Sequence, residues 1–122
     1  MTLPTDRMTE PRQTYLPIIL RPSLDLDARD AAIVRAVVRA WDRYGGATYR
    51  DVVSGSGLAI ETVHRRITAI NRPKLYRGGF GLVARGWLCA NPDTARTLRP
   101  GPRFGGISQK DGTIYELVGW DS

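Results

Sequence analysis

The chain has 122 residues, 42% hydrophobic and 25% charged, the balance of an ordinary soluble globular protein with one core of modest size. No run of about 18 apolar residues occurs, so no membrane-spanning helix is expected. Net charge is +6 with one histidine and one cysteine, so neither an intrachain disulfide nor the usual Cys/His zinc site is expected.

Residues 1–24 read as an extended N-terminal arm, mobile in part, ahead of one domain over 25–122. Pro4, Pro11, Pro17 and Pro22 block helix formation in the arm. The stretch MTLPTDRMTEPRQTY has no basic patch followed by an apolar run, so no secretory leader is expected. With Cys89 alone, this points to a reducing cytoplasm, in a bacterial cell or a phage-infected host. Tyr15–Leu20 is too apolar for a free tail. An edge strand on the domain and a dimer contact are both open for it.

A first helix is expected from Ala28 to Tyr44, capped by Asp27, with Asp30 near its positive end. Ile33, Val34, Val37, Trp41 and Tyr44 share one face and form a core stripe, with Arg35, Arg39 and Asp42 opposite. Gly45-Gly46 ends the helix. Thr48-x-x-Asp51 is a capping box with Asp in place of Glu, opening a short second helix from Tyr49 to Ser54. Ser54-Gly55-Ser56-Gly57 then turns the chain. A third helix runs from Ala59 to Asn71 and stops at Pro73. Ile60, Val63, Ile67 and Ile70 form its apolar stripe. At about 100° per residue the other face carries Glu61, Thr62, Arg65, Thr68, Ala69 and Arg72, with His64 and Arg66 on the flanks.

The remainder reads as strands and loops. Residues 81–89 form one strand and residues 113–118 another. A short strand at 96–98 is expected to pair back on 82–88, with a flexible basic loop following. Trp87 and Trp120 are assigned to core or sheet cover. The charge is uneven: from Arg65 to Lys110 there are ten basic residues and one acid, Asp93. Such a block can face a polyanion, or simply solubilise the surface. Arginine outnumbers lysine 16 to 2, which suits phosphate and guanine recognition but also follows from a GC-rich genome.

The order of the first helix, Tyr49-Arg50-Asp51-Val52, Gly57-Leu58, Thr62-Val63-His64-Arg65-Arg66-Ile67, Gly81-Leu82-Val83 and Arg96-Thr97-Leu98 resembles the winged-helix DNA-binding domain of LexA-like repressors. The likeness covers roughly residues 28–100, and many winged-helix families share the skeleton. It implies an α+β fold: a winged helix-turn-helix, with a three-helix core and a C-terminal β-hairpin wing. It also implies operator binding with the third helix in the major groove. Three departures stand out. The chain ends too early for a self-cleaving peptidase domain, so self-cleavage is not carried over. Ala59 stands where a capping Ser is common. The segment Arg72–Phe80 is longer than the usual link to the wing. Small size and Arg richness suit a bacteriophage or actinobacterial regulator.

On this reading double-stranded DNA is the partner, and a homodimer is left open, with Tyr15–Leu20 and Tyr115–Trp120 as contact segments. Arg65, Arg66 and Arg72 neutralise phosphates. For base edges, Glu61 accepts from cytosine, Arg65 pairs with guanine and Thr62 touches a thymine methyl. His64 donates to a phosphate or stays a surface histidine. Tyr49 and Arg50 meet phosphate at the start of the second helix. Arg85, Arg96, Arg99 and Arg103 form a basic wing that enters the minor groove, or a solubilising loop. No enzyme is expected: there is no Walker motif, no paired carboxylate site and no support for a Cys89–His64 pair. No cofactor and no metal are expected. The alternatives are a protein–protein interaction module, such as a phage protein acting on a host factor, and a DNA-architectural or excision factor.

Overall fold

Asp27 starts the first helix by accepting the Asp30 amide at 2.8 Å. The computed structural model describes residues 20–68 and 81–118, within which α1 spans Ala28–Tyr44 as expected from the sequence. Gly45 closes α1 at φ 82°, a left-handed conformation that glycine adopts without a Cβ penalty. Gly46 is held by space instead. A Cβ there would lie 2.6 Å from Thr97 Oγ1.

The capping box at Thr48 is complete, with Thr48 and Asp51 each bonding the other's backbone N–H. It opens α2, Tyr49–Ser56, which is longer than the sequence reading allowed. Gly55 lies inside this helix, not in the turn. A Cβ on it would sit 2.9 Å from the Ala36 Cβ, so its lack of a side chain brings α2 close against α1. Gly57, at φ 74°, makes the turn. Helix α3 follows at Ile60–Thr68. The part of the expected helix beyond Thr68, with Ile70 and Arg72, lies outside the described residues, as do Tyr15–Ile19, Pro73–Phe80 and Trp120.

Five short strands complete the described chain: β1 Leu20–Pro22, β2 Leu88–Ala90, β3 Leu98–Pro100, β4 Phe104–Ile107 and β5 Ile114–Leu117. They form two antiparallel sheets. Strands β2 and β3 pair with Leu88 opposite Pro100 and Ala90 opposite Leu98. Leu98 also exchanges two backbone bonds with Ala47, at 2.9 and 2.8 Å, so the residue before Thr48 borders this hairpin. The second sheet has the order β1-β5-β4. Residues 20–22 thus form an edge strand on β5.

Three strand expectations are corrected. Residues 81–86 are not strand. They turn tightly, with the Arg85 amide bonded to the Gly81 carbonyl and the Gly86 amide to that of Val83. The hairpin partner of the strand near Leu98 is therefore 88–90, not 82–88. Residues 104–107, expected as loop, are strand β4. Strand β5 is central, with both backbone edges paired, which removes Tyr115–Leu117 as a free-edge dimer contact.

The core joins Ile33, Val34 and Val37 of α1, Val52 of α2, Val63 and Ile67 of α3, and Leu82, Trp87, Leu88 and Ile114. Each fully buried aliphatic contributes about 1.5–3 kcal/mol relative to exposure. The stripe on α1 is shorter than expected. Ala36 and Ala40 are buried, while Trp41 and Tyr44 are 40% and 68% exposed. Helix α1 runs past the core, and the side chains of its last turn, Trp41–Tyr44, are exposed. Ile60 is likewise exposed at the start of α3. The described chain is thus α+β, with three helices and two small antiparallel sheets, a layout compatible with a winged helix.

Candidate nucleic-acid interface

Val63 and Ile67 turn inward, which fixes the other side of α3 outward. Glu61, His64, Arg65 and Thr68 are exposed and Thr62 is half-buried. Their spacing places them along one helical face about two turns long. Thr68 donates to the His64 carbonyl at 2.7 Å, closing the last described turn.

Tyr49 and His64 tie the two helices together. Their ring centroids are 5.3 Å apart and tilted by 35°. Burial pushes the Tyr49 phenol up, so it stays protonated and can donate at neutral pH. Arg50 is exposed beside it, in the first turn of α2, where free backbone N–H groups favour an anion. The β2–β3 hairpin adjoins this end of α2 through the Ala47–Leu98 bridge. It carries Arg99, half-buried in β3, and Arg96, exposed in the connecting loop. Arg96 has φ 62°, a left-handed conformation that is uncommon and costly for a residue with a Cβ.

Three arginines expected at the nucleic acid are placed elsewhere. Arg66 leaves α3 toward the start of α1, where Nη1 lies 2.8 Å from Asp27 Oδ2 and 3.0 Å from Asp30 Oδ1. Arg85 reaches Asp30 Oδ2 at 2.8 Å and Asp25 Oδ2 at 3.0 Å. Arg103 reaches Asp25 Oδ2 at 2.9 Å and Glu116 Oε1 at 3.2 Å, and its guanidinium lies 4.8 Å from the Trp87 ring centroid. Glu116 also holds Arg21 at 2.7 Å. Charges of alternating sign therefore run without a break from β1 to α3. Asp30 and Glu116 are buried carboxylates that would otherwise be uncompensated, and each arginine meets one of them, which turns Arg66, Arg85 and Arg103 away from the outward basic surface. Arg72 lies outside the described residues.

In the sequence Asp27 and Asp30 signal only a helix start, and nothing local marks them as the acidic half of this network. Three aspartates within six positions, Asp25, Asp27 and Asp30, exceed what one cap requires. Burial opposes the charge on Asp27. The amide of Asp30 and the Arg66 guanidinium outweigh it and hold the carboxyl below its ordinary value. For Arg66, too, burial opposes the charge, and its bonds to Asp27 and Asp30 prevail and raise its pKa.

Of the polar side chains expected on this face of α2, α3 and the hairpin, Tyr49, Arg50, Glu61, Thr62, His64, Arg65, Thr68, Arg96 and Arg99 remain outward or half-buried, alongside the exposed Asp93 of the hairpin loop. The hydroxyl, imidazole and guanidinium groups among them can donate to phosphates, while Glu61 can only accept, so Glu61 and Arg65 offer opposite hydrogen-bonding character one turn apart. Among the described residues no group of three His, Cys, Asp or Glu could hold a metal ion, and no helix is long and apolar enough to cross a membrane. No family model, no curated protein and no solved structure matches this chain.

Proposed function

We propose that this chain is a sequence-specific double-stranded DNA-binding protein, a small transcriptional regulator of winged helix-turn-helix type. The observation that carries the reading is the division of labour on α3. One side is anchored by Val63, Ile67 and the paired Arg66, and the other presents Glu61, His64 and Arg65 to solvent. A helix held so firmly from behind can offer a rigid row of side chains to base edges. The helix–Gly57 turn–helix unit and the order Ala47, β3, β2 support the winged-helix assignment and the likeness to LexA-like repressor domains. In this reading α3 enters the major groove, Arg50 and Tyr49 meet phosphate beside it, and Arg96 and Arg99 extend along the backbone or into the minor groove.

The test is enrichment from a pool of random duplexes at two salt concentrations. One recovered motif, bound less tightly as salt rises, is the expected result. Strong binding without a motif would indicate an architectural protein. Absence of binding at low salt would leave α3 as a protein-contact surface and sink the DNA reading.

A further inference from the structure

Helix α1 overshoots its own core, and the overshoot has a built surface beside it. At about 100° per residue, Trp41 and Tyr44 continue the direction of the buried Val37, yet they are 40% and 68% exposed. Beside Tyr44, α1 and α2 leave an open cleft of about 540 Å³ with Ala36 and Gly55, the point of their close approach, in its lining. Arg39, Asp42, Arg43 and Tyr44 line one wall, and Asp51 and Ser54 the other. Two arginines and two aspartates thus border a cleft with an aromatic ring at its lip. Arg39 is partly used, donating to the Gly55 carbonyl at 3.0 Å. Asp42 and Arg43 are adjacent on the helix and have no ion-pair partner among the described residues. Arg43 lies only loosely over Tyr44, at 5.9 Å.

We propose that this end of α1 and its cleft form a two-fold interface with a second copy of this chain. A surface that carries both signs in balance is matched to itself, not to a strongly acidic or basic partner. A two-fold interface requires that self-complementarity, because each patch meets its own image. An antiparallel crossing of two α1 helices at their last turns sets Arg43 of each copy against Asp42 of the other. Tyr44 of each copy enters the opposite cleft, which can take an aromatic side chain, and Trp41 packs at the edge. Aromatic and arginine side chains are the groups that anchor such contacts. The exposed face of α3 is not used, so the interface stands independently of the DNA reading.

Sedimentation equilibrium of the full chain without DNA tests this directly. The wild type is expected to dimerise with rising concentration. Arg43→Glu and Asp42→Arg, both at exposed positions, should each raise the dimer dissociation constant about tenfold or more. An equimolar mixture of the two variants should recover the dimer mass, because each then meets its complement across the two-fold. Tyr44→Ala should weaken the dimer with no loss of helix by circular dichroism, and it gives the same readout if either charge variant misfolds. A wild type that stays monomeric overturns the proposal, as do folded single variants that dimerise normally or a mixture that recovers nothing.

Discussion

Arg66 of α3 and Asp30 of α1 meet at 3.0 Å, although they are 36 positions apart in the chain. Asp30 is 3% exposed and also holds Arg85 at 2.8 Å, so one buried carboxylate fastens the third helix and the segment leading to β2 to the start of the first. Removing that carboxylate leaves two guanidinium groups without their shared partner. Arg66 keeps Asp27 and Arg85 keeps Asp25, so Asp30→Ala should cost about 1–3 kcal/mol of folding stability, measured by urea denaturation. A loss under 1 kcal/mol, as for a typical surface pair, would show that the network is not an anchor.

Asp27 supplies the acid sensitivity of the same network. Its carboxyl is held below its ordinary value in the folded chain, so the stability it adds is complete at neutral pH. That contribution fades as pH falls through the unfolded value near 4 and is gone below the folded one. Asparagine caps a helix nearly as well as aspartate, so Asp27→Asn removes the charge and keeps the cap. Melting temperatures of the wild type and Asp27→Asn should differ at pH 7 and converge toward pH 3. A constant gap across that range would assign the effect to capping.

The helices were legible because their signals are local. Asp27, Gly45, Thr48 and Asp51 each act within four residues, and Val63 and Ile67 repeat at helical spacing. Gly55 misled because its reason lies on another helix, where Ala36 leaves no room for a Cβ. The run Leu82–Arg85 resembles a strand in composition, but its amides bond the Arg66 and Ile67 carbonyls of α3 and, at Arg85, the carbonyl of Gly81, so it pairs with no strand. The basic block from Arg65 onward reads in sequence as one outward surface. Sequence shows the sign of a charge but not its partner, and the partners of Arg66, Arg85 and Arg103 include Asp25, Asp27 and Asp30, more than thirty residues upstream. Arg65 and Arg66 are neighbours in sequence with opposite fates, decided by about 100° of helix rotation.

Gly101 marks a place where the hairpin tolerates no side chain. A Cβ there would stand 2.4 Å from the Gly86 carbonyl oxygen and 2.9 Å from the Leu88 nitrogen, both backbone atoms that have little freedom to yield. Gly101→Ala should destabilise the fold by about 1–3 kcal/mol in thermal or chemical unfolding. An unchanged midpoint would mean that β3 can shift without penalty.

Arg96 should show the opposite trade. Its left-handed backbone favours glycine, so Arg96→Gly is expected to leave the melting temperature unchanged or raise it slightly. If Arg96 meets DNA, the same variant binds duplex more weakly. A variant that melts lower and binds as before would remove Arg96 from the interface.

In the proposed function the outward face of α3 reads bases while Arg66 behind it holds the helix. The most direct measurement compares wild type and Arg65→Ala on the enriched duplex and on a scrambled duplex of equal length, with melting temperatures alongside. Arg65→Ala is expected to melt like the wild type, lose about 1–3 kcal/mol on the enriched duplex and lose much less on the scrambled one. Equal affinity of the wild type for both duplexes, or an Arg65→Ala variant that binds the enriched duplex unchanged, would contradict it.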